Sequence, residues 1–150
     1  MIKENDFYYL EIDDFETIIN QLINAKEEYS EDIPPIETRY EGRLESILQQ
    51  IQSKYFGIDL YPEIETKAAW LFYLLIKNHP LQNGNKRVAV IAYLVFLATN
   101  CDELYFDEVS INNELYEIAT ITAASLPIEQ DEIISMLITK SKQYIFFRNE

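Results

Sequence analysis

Apolar residues recur at intervals of three and four in two early segments of the chain, the spacing of one face of an α-helix. Residues 11–29 are predicted to form an amphipathic helix with Asp13 or Asp14 as its N-terminal cap. Residues 43–56 are predicted to form a second helix, which Gly57 would end. The apolar positions are Phe15, Ile18, Ile19, Leu22 and Ile23 in the first segment and Leu44, Ile47, Leu48 and Ile51 in the second.

Two later segments are apolar on most sides and predict the central helices of the fold. The longest apolar runs are AAWLFYLLI at 68–76 and VAVIAYLVFLA at 88–98. Both are shorter than the roughly 18 to 20 apolar residues that a membrane-spanning helix needs. We therefore expect buried helices over about 62–77 and 84–99, joined by a loop through Pro80, and no membrane segment.

Prolines divide the remaining chain. The pair Pro34–Pro35 cannot continue a helix and favours extended backbone between the first two helices. A turn with one short strand is expected before two closing helices, at 112–125 and 128–146, which Pro127 separates. No repeat or linker interrupts residues 1–150, a length that suffices for a hydrophobic core. The predicted fold is all-α, a single-domain helical bundle.

The composition is that of a globular protein, with 48% hydrophobic and 25% charged residues. A formal net charge of -14 opposes contact with phosphate backbones, so we do not expect nucleic-acid binding. The single cysteine, Cys101, excludes an intramolecular disulfide and fits a reducing compartment. The first residues lack the cationic region and apolar run of a secretory signal, so we expect a cytoplasmic protein.

One short stretch contrasts with this acidic background: HPLQNGNKR, residues 79–87, combines the only histidine with two cations and no acidic side chain. Gly84 tolerates the positive φ of a tight turn. The helix that follows presents N–H groups and the positive end of its dipole, which together bind phosphate. Arg87 can hold phosphate oxygens bidentately, and Lys86 adds a point charge. Asn85 can donate from its amide or cap the helix.

His79 lies at the end of the preceding helix. An imidazole can accept a hydroxyl proton near neutral pH, so His79 is a candidate general base that activates a protein hydroxyl for attack on a bound nucleotide. There are ordinary alternatives: His79 as a helix-end residue bonded to a carbonyl, NGN as a simple turn, and Lys86 and Arg87 as solvated side chains. The joint spacing of these residues favours the anion site. The Lys–Arg pair favours it too, because two cations in a first helical turn oppose the helix dipole unless an anion offsets them.

The same nine residues resemble the signature of the Fic/Doc family, H-x-F-x-[D/E/N]-G-N-[G/K]-R, and Lys86 is typical of its Doc (death-on-curing) branch. The resemblance continues through 9–23 and 40–80 before the signature and through the closing helices after it, so that it covers roughly 7–140. It implies the all-α Fic fold, with a flap at about 34–61, before the signature, that aligns a target protein.

The resemblance also implies an activity, cofactors and partners. Doc-type toxins transfer phosphate from ATP to a hydroxyl of a translation factor, elongation factor Tu, and so arrest growth, whereas typical Fic proteins transfer AMP. By position, His79 would be the general base, Asn83 the Mg²⁺ ligand and Arg87 a phosphate-binding residue. The anion hole would comprise Gly84, Asn85 and Lys86. A small antitoxin would restrain the protein.

Three positions differ from the residues most usual in the family. Leu81 replaces the usual Phe, whose ring anchors the loop. Asn83 stands where Asp or Glu usually binds Mg²⁺, and a neutral amide is a weaker ligand for a hard cation. Val90 stands where AMP-transferring members often carry a second Arg, which favours phosphate transfer. The alternatives are AMP transfer and a binding protein with an impaired metal site.

Overall fold

The computed structural model describes residues 1–4, 6–25, 32–105 and 108–148. These residues are mostly helical, with only short strand pairs, which confirms the predicted all-α class. The single-domain organisation stays a prediction. The helices are α1 (Ile12–Asn24), α2 (Arg43–Ile51), α3 (Ile64–Lys77), α4 (Asn85–Asn100), α5 (Glu108–Ala124) and α6 (Gln130–Tyr144), with 3₁₀ turns at Ile36–Thr38 and Pro127–Glu129.

Short antiparallel strand pairs are formed by segments outside the helices. They join β1 (Ile2–Glu4) to β2 (Phe7–Tyr9), β3 (Lys54–Tyr55) to β4 (Ile58–Asp59) and β5 (Glu103–Leu104) to β6 (Ile145–Phe146). The β1–β2 pair was not predicted. The expected short strand before the closing helices is β5, and its pairing with β6 ends α6 earlier than predicted. α5 also begins earlier than predicted.

α3 and α4 form the centre of the fold. They pack against each other, α3 also packs against α6, and α4 packs against α5. Phe72 of α3 and Tyr93 of α4 are fully buried, with ring centroids 5.5 Å apart in edge-on geometry. The segments that are apolar on most sides are therefore buried on most sides, as predicted. None of the helices in the described ranges has the length and apolar character to cross a bilayer.

The first helix keeps its predicted apolar face, with Phe15 fully buried, but it starts from a different cap. Glu11 precedes α1, and its N–H donates to the Asp14 carboxylate at 2.8 Å. The predicted cap at Asp13 or Asp14 is therefore wrong, because Asp14 lies inside the first turn and bonds back to the residue that begins the helix. Residues 26–29 of the predicted helix lie outside the described residues.

A hairpin rather than a longer helix follows α2. The turn between β3 and β4 is made by Phe56 and Gly57, which both have positive φ, 52° and 79°. The prediction that this helix runs to 56 and is ended by Gly57 is wrong, since α2 ends at Ile51. Gly57 instead supplies the backbone conformation that a two-residue hairpin turn requires.

Candidate functional site

The loop between α3 and α4 begins with a histidine in an unusual backbone conformation. α3 ends at Lys77, and the N–H of Asn78 caps it by donating to Leu74 O at 2.9 Å. His79 follows with φ 45° and an exposed side chain. A left-handed residue at this place commonly ends a helix, but it is usually glycine. For His79 the conformation costs about 1–2 kcal/mol, which the surrounding structure must offset.

The loop ends at Gly84, which caps α4 with φ 81°. Val88 N–H donates to Gly84 O at 3.0 Å and so begins the hydrogen bonds of the helix. A Cβ atom added at Gly84 would lie 2.5 Å from Cδ1 of Ile33. The predicted positive φ is confirmed, and the close approach of Ile33 is a second reason for glycine here.

The amide of Asn85 closes this loop. Its Oδ1 accepts a hydrogen bond from Leu81 N–H at 2.9 Å, and its Nδ2 donates to Leu81 O, also at 2.9 Å. Leu81 itself is 2% exposed, so it supplies the apolar anchor that the family pattern assigns to Phe. Because both ends of the Asn85 amide are used within the loop, its expected contribution to the anion hole comes from its backbone N–H.

The segment 32–43 lies against the loop and is hydrogen-bonded to it. Ile33 contacts Gly84 as described, and three hydrogen bonds cross between the segment and the loop. They run from Tyr40 N–H to Pro80 O (3.0 Å), from Gln82 Nε2 to Thr38 O (2.9 Å) and from Arg43 Nη1 to His79 O (3.1 Å). The loop is therefore held from outside, and the strained residue His79 is held through its own carbonyl.

The cations near the loop have different environments. Lys77 Nζ donates to Ser125 O at 2.8 Å, which ties the end of α3 to the turn after α5. Lys86 and Arg87 are half-buried in the first turn of α4. The guanidinium carbon of Arg87 lies 4.1 Å from the centroid of the Tyr116 ring on α5. Nothing in the sequence pattern singled out Tyr116, because its contact depends on how α5 packs.

Asn83, the predicted metal ligand, is exposed on the loop beside Gly84. Across residues 1–4, 6–25, 32–105 and 108–148, no group of three or more His, Cys, Asp or Glu side chains is arranged to hold a metal ion. An amide oxygen can still ligate Mg²⁺, but most ligands of such an ion would have to come from a bound nucleotide and water.

A cavity of about 520 Å³ adjoins the end of α3. It is lined by Asn78 and by the start of α2, namely Glu41, Gly42, Arg43 and Ser46. The chain thus gathers His79, Asn83 and Gly84 on one loop, with Asn85, Lys86 and Arg87 in the helical turn that follows.

Comparisons with protein families and with curated proteins each find a match. A model of the Fic/DOC family matches residues 9–97, which include the loop and most of α4. The chain is 36% identical over 87 residues to a protein called Toxin Doc from Mycolicibacterium smegmatis, a match that covers 57% of this chain and 67% of that protein. No solved structure matches at a significant level.

Proposed function

The chain belongs to the Fic/DOC family, on its Doc-type branch, and from this we propose that it is a toxin that transfers phosphate from ATP to a hydroxyl of a target protein. The observation that carries the proposal is the loop from His79 to Gly84. It presents an exposed imidazole at one end and, at the other, a left-handed glycine that opens the N-terminal end of α4.

The nucleotide phosphates would bind at this end of α4. The N–H groups of Asn85 and Lys86 precede the first hydrogen bond of the helix, at Val88, and the positive end of the dipole favours an anion there. Arg87 can hold two phosphate oxygens with its planar fork, and Lys86 adds a second positive charge. A bound triphosphate would also offset the cost of placing two cations in a first helical turn.

His79 would act as the general base. Its imidazole takes the proton of the target hydroxyl while the hydroxyl oxygen attacks the γ-phosphorus. The new O–P bond forms, the bond between the γ-phosphorus and the β–γ bridging oxygen breaks, and ADP leaves with that electron pair. The left-handed backbone at His79 supports this role, since such strain clusters at functional sites and persists only where neighbouring contacts enforce it.

Asn83 would hold Mg²⁺ through its amide oxygen, which its exposed position beside Gly84 permits. When bound, the ion would neutralise charge on the phosphates. Because Asn83 brings no negative charge, the chain's own hold on the phosphates depends chiefly on the end of α4 and on Arg87.

The target protein would dock on the flap, residues 34–61. The β3–β4 hairpin within it exposes large apolar side chains at its tip, including Tyr55, Phe56 and Ile58. The 520 Å³ cavity lined by Asn78 and Arg43 would receive the part of the target that carries the hydroxyl. The family resemblance points to a cytoplasmic translation factor like elongation factor Tu as the target and to a small antitoxin as the restraining partner.

The proposal is tested by incubating the purified protein with Mg²⁺, a bacterial lysate and ATP labelled at either the α- or the γ-phosphorus. We expect protein-bound label from γ-labelled ATP alone. Label from α-labelled ATP would instead assign AMP transfer. Label from neither, together with nucleotide binding that survives His79→Ala, would assign a binding protein.

The role of His79 has its own control. His79→Ala should abolish both labelling and growth arrest while the unfolding free energy stays close to that of the wild type. Retained labelling in a folded His79→Ala protein would reject His79 as the base.

Asn83→Asp should increase Mg²⁺-dependent labelling, since a carboxylate is the stronger ligand.

A further inference from the structure

Arg87 occupies an electrostatically unfavourable place. It lies in the first turn of α4, where the positive end of the helix dipole repels a cation, and its side chain is half-buried. A guanidinium there needs a neighbour that favours positive charge. The ring of Tyr116 is such a neighbour, with its centroid 4.1 Å from the guanidinium carbon, well inside the range of about 6 Å for a cation–π contact.

The geometry suits a group that must also bind phosphate. The N–H donors of a guanidinium lie in its plane and bind hydrogen-bond acceptors there, whereas the face of an aromatic ring attracts its charge. A carboxylate neighbour would favour the cation equally well, but it would compete with phosphate for the same donors. An aromatic ring can fix the side chain of Arg87 without that competition.

The helix that carries Tyr116 is itself held in place. Glu114, two residues earlier on α5, accepts a hydrogen bond from the Tyr144 hydroxyl and pairs with Lys140 Nζ at 2.9 Å, both on α6. Leu115, next to Tyr116, is fully buried. The ring therefore belongs to a fixed surface on which a flexible arginine can be ordered.

We propose that Tyr116 is a positioning residue, which holds the Arg87 guanidinium at the N-terminal end of α4 so that its in-plane donors can bind a nucleotide phosphate. This inference rests on the proposed function, in which Arg87 binds phosphate. It adds a residue from α5, which lies beyond the range 9–97 matched by the family model.

The test is a double-mutant cycle measured as the Kd of ATP with Mg²⁺, by calorimetry on the full chain. Tyr116→Leu keeps apolar volume but removes the ring, and it should weaken ATP binding about threefold to tenfold. Tyr116→Phe keeps the face of the ring and should bind like the wild type. Arg87→Ala should weaken ATP binding more, and adding Tyr116→Leu to Arg87→Ala should then change nothing further.

Tyr8→Leu is the matched control, because Lys3 Nζ lies 5.2 Å from the centroid of the Tyr8 ring, a second cation–π pair. Tyr8 is hydrogen-bonded through its backbone to Asn100, at the opposite end of α4 from Arg87, so its loss should leave the Kd unchanged. Adenosine, which has no phosphate, should bind wild type and Tyr116→Leu equally.

The outcomes separate the two claims. An unchanged Kd in Arg87→Ala, or no ATP binding by the wild type, overturns the proposed function and this inference with it. A weakened Arg87→Ala beside an unchanged Tyr116→Leu overturns only the role of Tyr116. Equal weakening of ATP binding in Tyr116→Phe and Tyr116→Leu would assign the effect to the hydroxyl. Equal weakening by Tyr116→Leu with and without Arg87 would assign the effect to general packing. Either result would also overturn the role of Tyr116.

Discussion

The α3–α4 pair and the loop that joins the two helices are held in place by different interactions. In the helices, apolar side chains such as Phe72 and Tyr93 are fully buried and the backbone is regular. In the loop, His79 and Gly84 both take left-handed conformations, and hydrogen bonds from the segment 32–43 hold the backbone. The regular core supplies the stability that keeps the irregular loop, with its exposed histidine, in one conformation.

The largest effect should come from the core. Phe72→Ala would remove a fully buried ring that packs edge-on against Tyr93, and it should lower the free energy of unfolding by about 3–5 kcal/mol. Urea unfolding measures this loss. Ile121→Ala, at a side chain that is 57% exposed, is the control and should stay within about 0.5 kcal/mol of the wild type. Equal losses in the two variants would mean that α3 is not the centre of the core.

The next effect is in the loop. Gly84→Ala should lower the free energy of unfolding by about 1–2 kcal/mol, chiefly because alanine resists φ 81°. The added Cβ also meets Ile33 Cδ1, but this atom is the end of a side chain that can rotate. Gly57→Ala is the matched control, with φ 79° and no atom within 4 Å of the added Cβ. Both variants should lose stability, and only Gly84→Ala should also weaken ATP binding. Weaker ATP binding in both would contradict a local role for Gly84.

A smaller effect distinguishes strain from chemistry at His79. His79→Gly and His79→Ala should both abolish labelling, but the glycine variant should be the more stable by about 0.5–1 kcal/mol, because it relieves the left-handed conformation. Asn78 offers the opposite control, since its φ of -91° suits any residue and alanine should there be more stable than glycine. The same order at both positions would contradict the strain assigned to His79.

The smallest effect is a pH dependence within α3. Lys67 is fully buried, and this burial lowers the pKa of its ammonium below the ordinary 10.5, while the Asp59 carboxylate, 3.3 Å away, opposes the shift. Between the lowered and the ordinary pKa, the unfolded chain binds more protons than the folded one, so this group makes stability rise with pH. The unfolding free energy of the wild type in urea, measured relative to that of Lys67→Met, should therefore increase as pH rises towards 10.5. A constant difference across that range would contradict the shift.

The sequence predicted what depends on local pattern. The central helices follow from continuous apolar runs, and the left-handed Gly84 follows from a glycine between a predicted loop and a predicted helix. Leu81 stands where the family pattern has Phe, and its apolar side chain is buried.

The sequence did not predict what depends on distant partners. The strand pair β5–β6 joins segments far apart in the chain, so neither segment signals it alone. Arg43 bonding to the His79 carbonyl and Tyr116 lying over Arg87 are likewise set by tertiary packing. Positive φ at His79 was missed because histidine only occasionally takes it, whereas glycine takes it readily.

The most direct test of the account is an NMR titration of the ¹⁵N-labelled protein with ATP and Mg²⁺, read at the backbone amides of Asn85 and Lys86. The account predicts that both signals shift in proportion to bound ATP and that adenosine leaves them unmoved. Shifts confined to Gly42 and Ser46 at the start of α2, with the amides of Asn85 and Lys86 unchanged, would contradict it.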